Sequence, residues 1–450
     1  MIKKRVAFSL FALLMSLTFV LAACGGGTTD NGGGAAEPAQ TEENAGTEEA
    51  APEEVEFTIG YAPGDPATKT AMENAIEAFS AAYPHIKVKN MTEVTSASYL
   101  DWLKTKDAVG EFPDLVELRD VKVFVDAGKV AELPQELHGL FSNVPSYNGK
   151  VYTAPIVGNS PNGIIYSKKA YADAGIAELP KTYDEFLAVQ EKLKASGISP
   201  IVVGGKDIWH MGFWANYFLI NGVYAGDPDW NSKRTAKTAS FTEPVMVQSI
   251  EDYKHLFQNY VDKGWLSTAD NQTASMLVTG KAAQLYSGPW MFSQIAEADP
   301  SFEFGFYAIP NREGKLYING LPTLQGWALS AKAAEDPAKV EAMTTFLKFF
   351  FEKENYTKFL QGFNGIPTTA EPITYEASEQ MQEVLRLIQD PAVEKRMMIN
   401  NWYGDNAIPT QFRNWFYKLL QDLVVKDGDV VEYMKQADTE YDNNVKANQQ

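Results

Sequence analysis

Four histidines, His85, His138, His210 and His255, are the only imidazoles in 450 residues. No two have the spacing of metal ligands, and there is no H-E-x-x-H. The stretch "GNSPNG" has its glycines in the wrong places for a nucleophile elbow. The stretch "VVGGK" lacks the length and the Ser or Thr of a phosphate-binding loop. Paired carboxylates could cleave a glycosidic bond, and 58 acidic side chains make accidental pairs easy, yet no spacing marks one. What remains is a set of polar and aromatic groups at the ends of predicted elements. Tyr61 and Asp65 ("GYAPGDP") follow the first predicted strand, and Arg119 and Asp120 ("LRD") end the third. Ligands of α/β sheets bind outside the carboxyl ends of strands. Asp65 has a competing role as cap of a helix starting at Pro66, and Arg119 and Asp120 could equally form a surface ion pair. Asn159, Ser160 and Asn162 can contact a ligand or simply form a turn. Trp290 follows a Gly-Pro turn, which puts its indole at an element end, either in a cleft or packed in a core beneath it.

The chain's one cysteine, Cys24, lies in "LAACGGG". Lys3, Lys4 and Arg5 precede an apolar run from Val6 to Ala23, and small residues sit before Cys24. This is the layout of a secretory signal; the alternative, a spanning helix, would be at the lower edge of sufficient length. The signal covers residues 1–23. Residues 24–54 form an acidic, Gly-rich tether without Lys, Arg or an aromatic, which cannot bury enough surface to order itself.

Without the signal and the tether, residues 55–450 keep a net charge of −14 out of the whole chain's −19. That excludes a nucleic-acid binder, which needs a basic patch. It suits a dispersed extracellular protein. No second apolar stretch is long enough to span a membrane. A body of this length exceeds one core and implies two lobes.

Strands are expected at "VEFTIGYAP", "HIKVKNM", "PDLVEL", Val151–Val157, Ile164–Tyr166, "ISPIVVGG" and "FEFGFYAIP". Helices are expected between them, including one from Pro66 and one opened by Thr182 and Glu185 as a capping box. Strands alternating with helices imply parallel pairing through crossover helices. The remainder to the C-terminus reads as helical.

Four stretches carry a resemblance: "TGKAAQLYSGPW", "VYTAPIVGNSPNGIIYSKKAYADAGI", "LPKTYDEFLAVQEKL" and "GWALSAKAAEDPAKVEAMTTFLKFF". In this order and spacing the chain resembles the extracellular solute-binding proteins of ABC importers, in the carbohydrate-binding family that includes the maltose-binding proteins. Tyr183 stands where that family usually has Trp. The signal's end resembles the bacterial lipobox, which implies acylation of Cys24 and a lipid anchor on the outer face of a Gram-positive cytoplasmic membrane. The resemblance implies a two-lobed α/β fold of the type II periplasmic-binding kind. One lobe would comprise residues 55–160 plus 318–370, the other 161–317 plus 371–450. It implies a monomer without cofactor or metal, a carbohydrate ligand in the cleft, and a permease as partner.

The ligand contacts that the resemblance adds are Trp209, His210 and Trp214 from "IWHMGFW", Trp290, Trp327 at the return crossing, and Trp402 and Asp405 from "NNWYGDN". A sugar needs aromatic platforms for its C–H faces and polar groups for its hydroxyls, since an unpaired buried hydroxyl costs roughly 1–3 kcal/mol. The competing readings are a polyamine, iron or other solute in the same fold, a glycan-active enzyme, and an adhesin.

Overall fold

The computed structural model describes residues 54–64, 66–93, 98–399 and 401–447. The signal, Cys24, the tether up to residue 53 and Asp65 lie outside the described residues. Two four-stranded sheets organise the body. The first contains β1 (Val55–Gly60), β2 (Ile86–Asn90), β3 (Leu115–Leu118) and β9 (Gly326–Leu329), in the order β2-β1-β3-β9. The second contains β4 (Gly163–Ser167), β5 (Ser199–Val202), β6 (Ala282–Ser287) and β7 (Phe304–Tyr307), in the order β5-β6-β4-β7. A short pair joins β8 (Tyr317–Asn319) to β10 (Glu394–Arg396).

β1 runs parallel to both β2 and β3, as helical crossovers require. Parallel pairing also holds between β5 and β6, but the expectation fails at three other pairs. β9 pairs antiparallel with β3, and β4 pairs antiparallel with both β6 and β7. β4 follows a crossing out of the first half and β9 follows the return crossing. Neither is reached by a helix packed over its own sheet.

A second expectation also fails. Val151–Val157 makes no strand, only an isolated bridge from Ala154 to Trp327, with a second from Gly158, just beyond it, to Ile366. Ala154 exchanges both backbone hydrogen bonds with Trp327, at 2.8 Å each. Pro155 follows and has no N–H with which to continue the ladder. Gly326 belongs to this close approach, because a Cβ there would lie 2.2 Å from the carbonyl oxygen of Ala154. Backbone cannot yield as a side chain does. Gly326→Ala is therefore expected to cost about 1–3 kcal/mol, read as a lower midpoint in urea unfolding.

Each sheet has its own core. Phe57, Ile59, Phe79, Trp327, Phe346 and Phe350 pack around the first. Ile164, Phe186, Trp214, Tyr253, Phe257 and Phe416 belong to the larger core of the second. The predicted helix starts hold at Pro66 and at Thr182. Thr182 Oγ1 accepts from Glu185 N at 3.1 Å, while the Glu185 carboxylate reaches back one residue further than a capping box, to Lys181 N at 2.7 Å. Among the described residues no helix is long and apolar enough to cross a membrane.

Candidate functional site

The carboxyl end of β3 delivers Arg119 and Asp120, and helix Val121–Asp126 follows at once. Glu117, on the strand itself, organises this corner. One carboxylate oxygen accepts from Ala62 N at 2.8 Å, fastening the loop after β1, and the other accepts from Arg119 Nε at 2.7 Å. Tyr99 donates its hydroxyl to the Glu117 carbonyl at 2.8 Å, and its ring lies 6.0 Å beneath the Arg119 guanidinium. Burial pushes the Tyr99 phenol well above its ordinary pKa, so it remains a donor. Lys122 donates to Asp126 at 2.6 Å and to the Tyr147 hydroxyl at 3.0 Å.

Facing this corner is a segment from the other half of the molecule. Trp402 and Tyr403 precede the short turn Gly404–Asn406, and Arg413 lies in the first turn of helix Thr410–Val425. Arg413 Nη1 donates to Asp120 Oδ1 at 3.1 Å, a bond between residues 293 positions apart. Trp402 packs edge-on against Tyr224 at 5.8 Å, and its Nε1 is buried without a partner. Between the two walls lies a crevice, open to solvent and lined by Arg119, Asp120, Lys122, Trp402, Tyr403 and Arg413 among others. It suits a ligand that offers flat apolar faces and many hydrogen-bonding groups.

A second aromatic surface lies at the carboxyl ends of β5 and β6. Trp209 opens helix Trp209–Phe218 and is exposed. It stacks on His210 with centroids 3.9 Å apart, and His210 is in turn held by Asp270 at 2.8 Å. Phe213, one turn along, lies 5.0 Å from Trp209 and 5.6 Å from Trp290. Trp290 is half-buried and folds back over Gly288.

The structure divides the residues expected from sequence. Arg119, Asp120 and Trp402 come together in the crevice. Trp209 and Trp290 lie in the aromatic row, with His210 buried behind it. Three expectations are corrected. Trp214 is a core residue, 4.4 Å from Tyr286. Trp327 is fully buried among Phe346 and Phe350. Tyr61 is also fully buried, its hydroxyl accepting from Asn90 Nδ2 at 3.4 Å.

Asp405 is exposed and does not line the crevice. The crossing residues serve the backbone: Asn159 Nδ2 donates to Leu321 O at 3.3 Å, and the Ser160 carbonyl accepts from Asn319 Nδ2 at 2.7 Å. Asn162 is buried; its N–H donates to Asn319 Oδ1 at 3.0 Å, and its amide group lines a small chamber with Asn216 and Asn221. Sequence reading missed Lys122, Tyr147 and Gln325 as crevice residues. Lys122 was within reach of it, two positions beyond Asp120 at the start of a short helix. Nothing in the chain order points to Tyr147.

Comparison with known proteins identifies the family and the fold. The family model for bacterial extracellular solute-binding proteins matches residues 61–357, more than half of the chain. A multiple sugar-binding protein of Streptococcus mutans is 24% identical over 351 residues, covering 74% of this chain and 80% of that protein. An uncharacterised ABC transporter extracellular-binding protein of Pyrococcus horikoshii is 22% identical over 334 residues, covering 68% of this chain and 73% of that one. The solved structure of a chitin oligosaccharide binding protein matches with a TM-score of 0.76 at 23% identity, over 87% of this chain and 99% of the other. The fold is thus the two-lobed, type II fold of periplasmic binding proteins. The chain belongs to the bacterial extracellular solute-binding protein family.

Proposed function

We propose that this protein captures an oligosaccharide in the crevice between its lobes and delivers it to the permease of an ABC importer, as a receptor and not an enzyme. One observation carries the reading. The crevice is lined by Arg119 and Asp120, which fall in the first of the lobes proposed below, and by Trp402 and Arg413, which fall in the second. A ligand lodged there touches both lobes, and only contacts that differ between open and closed states shift that equilibrium. Hinge closure around a ligand is established for periplasmic binding proteins as a class, and it comes to this chain by likeness. The names of the sugar-binding relative, the chitin oligosaccharide binding structure and the ABC-transporter relative support the choice of ligand class and partner. A polyamine fits less well, because Arg119, Lys122 and Arg413 would repel it.

The lobes are proposed to comprise residues 55–160 plus 318–370 and 161–317 plus 371–450, in a protein that works as a monomer. Cys24 is proposed to carry the lipid that holds it, through residues 24–54, on the outer face of a Gram-positive cytoplasmic membrane. Two acyl signals suffice for stable anchoring where one is marginal. Cys24→Ser is expected to move the protein from the membrane fraction to the medium; retention of the variant on membranes would refute the anchor.

The reading itself is tested by intrinsic tryptophan fluorescence of the purified protein during titration with oligosaccharides, spermidine and ferric citrate. A saturable shift with an oligosaccharide is expected. A response to spermidine or ferric citrate alone would replace the sugar with another solute.

A further inference from the structure

The charges on the crevice walls narrow the ligand class, given the sugar reading above. Arg119, Lys122 and Arg413 line the crevice against one carboxylate, Asp120. The whole chain has the opposite balance, with 58 acidic and 39 basic side chains. A cation-rich lining inside an acidic protein is thus local and runs against composition.

The three cations differ in how far they are committed. Lys122 is held by Asp126 and Tyr147. Arg413 spends Nη1 on Asp120 and Nε on Asn414. Arg119 gives only Nε to Glu117, and its two terminal amino groups have no hydrogen-bond partner among the described residues. Its guanidinium is also fixed in place, between Glu117 and the Tyr99 ring. A second unspent donor, the buried Nε1 of Trp402, belongs to the opposite wall.

A carboxylate accepts through both oxygens and donates nothing. A guanidinium fork matches it with two parallel hydrogen bonds, and such charge-assisted pairs are stronger than neutral ones. Hydroxyls of a neutral sugar bring donors along with acceptors, so they match the two terminal amino groups less well than a carboxylate does.

We infer that the oligosaccharide taken by this crevice contains a hexuronate, whose carboxylate is received by the terminal amino groups of Arg119. Calorimetric titration of the intact protein tests this with matched probes: oligogalacturonides against galacto-oligosaccharides, oligomannuronates against manno-oligosaccharides, and glucuronate-bearing xylo-oligosaccharides against plain ones. At least one acidic probe is expected to bind tenfold or more tightly than its neutral counterpart, with affinity falling as salt is added. Arg119→Gln is expected to erase that margin, and Arg119→Lys, which keeps the charge without the fork, to retain part of it, both with unchanged circular dichroism.

If a neutral probe binds as tightly as its acidic counterpart, the uronate is refuted while the sugar reading stands. An acidic preference that survives Arg119→Gln removes Arg119 from its role. Silence from every probe, with a folded sample, overturns the sugar reading and the uronate together.

Discussion

Arg234→Ala is expected to lower the stability of the protein by about 3 kcal/mol, at the lower end of what removing one partner of a buried ion pair costs. Arg234 is buried in helix Trp230–Thr235 and reaches into the C-terminal helix Val430–Ala447. Its Nε lies 2.7 Å from Asp438, and its Nη2 lies 2.9 Å from Asp442. The guanidinium also faces the Tyr441 ring at 4.9 Å. Alanine would leave two carboxylates beside a core and expose the Tyr441 face. Both carboxylates keep some contact with water, at 23% and 30% exposure, which holds the cost below the top of the range.

The loss should also depend on pH. Burial alone would raise the Asp442 pKa, yet hydrogen bonds from Lys237 and Arg234 outweigh it and hold the carboxyl below its ordinary value. A carboxylate with a depressed folded pKa stabilises the fold above its unfolded value, and that stability is lost as pH falls through the folded one. The gap between wild type and Arg234→Ala in urea midpoint is expected to be full near neutrality and to shrink in acid. A gap that is constant with pH would mean that packing, not charge, makes the contribution.

Trp402→Ala should have the largest effect on ligand capture, about 2 kcal/mol or roughly 30-fold in Kd, the size expected for a desolvated tryptophan at the centre of a contact. The indole is positioned by Tyr224 and brings a buried, unspent N–H to the crevice. The contrast with the core tryptophans makes the test specific. Trp214→Ala and Trp327→Ala are expected to cost about 3–5 kcal/mol of stability through cavities. Trp402→Ala should change the unfolding midpoint little while weakening binding. Affinity unchanged in Trp402→Ala, measured by the same fluorescence or calorimetric titration, would take this residue out of the site.

Local signals in the chain were readable where local physics decides. The alternation of Val55, Phe57 and Ile59 and the starts at Pro66 and Thr182 led to elements that the structure contains. The direction of β4, β7 and β9 was not readable, because it depends on where the chain crosses between lobes and leaves no mark in residue periodicity. The tryptophans show the same division. Trp209 and Trp214 are five positions apart on one helix, which places them about 140° apart around its axis. They cannot both face a cleft: Trp209 is exposed and Trp214 is core. Gly326–Trp327 reads identically whether its indole points to a cleft or to a core, and the Ala154 bridge turns it inward. Asp120 was legible as a strand-end residue, but its bond to Arg413 was not, since chain order does not show which distant segment faces it.

The most direct test of capture between the lobes is a crystal structure of the protein with an oligosaccharide that saturates the fluorescence change. Sugar density bridging Arg119 of the first lobe and Trp402 of the second is the expected result. Density confined to one lobe, such as the row of Trp209, Phe213 and Trp290 alone, would contradict it.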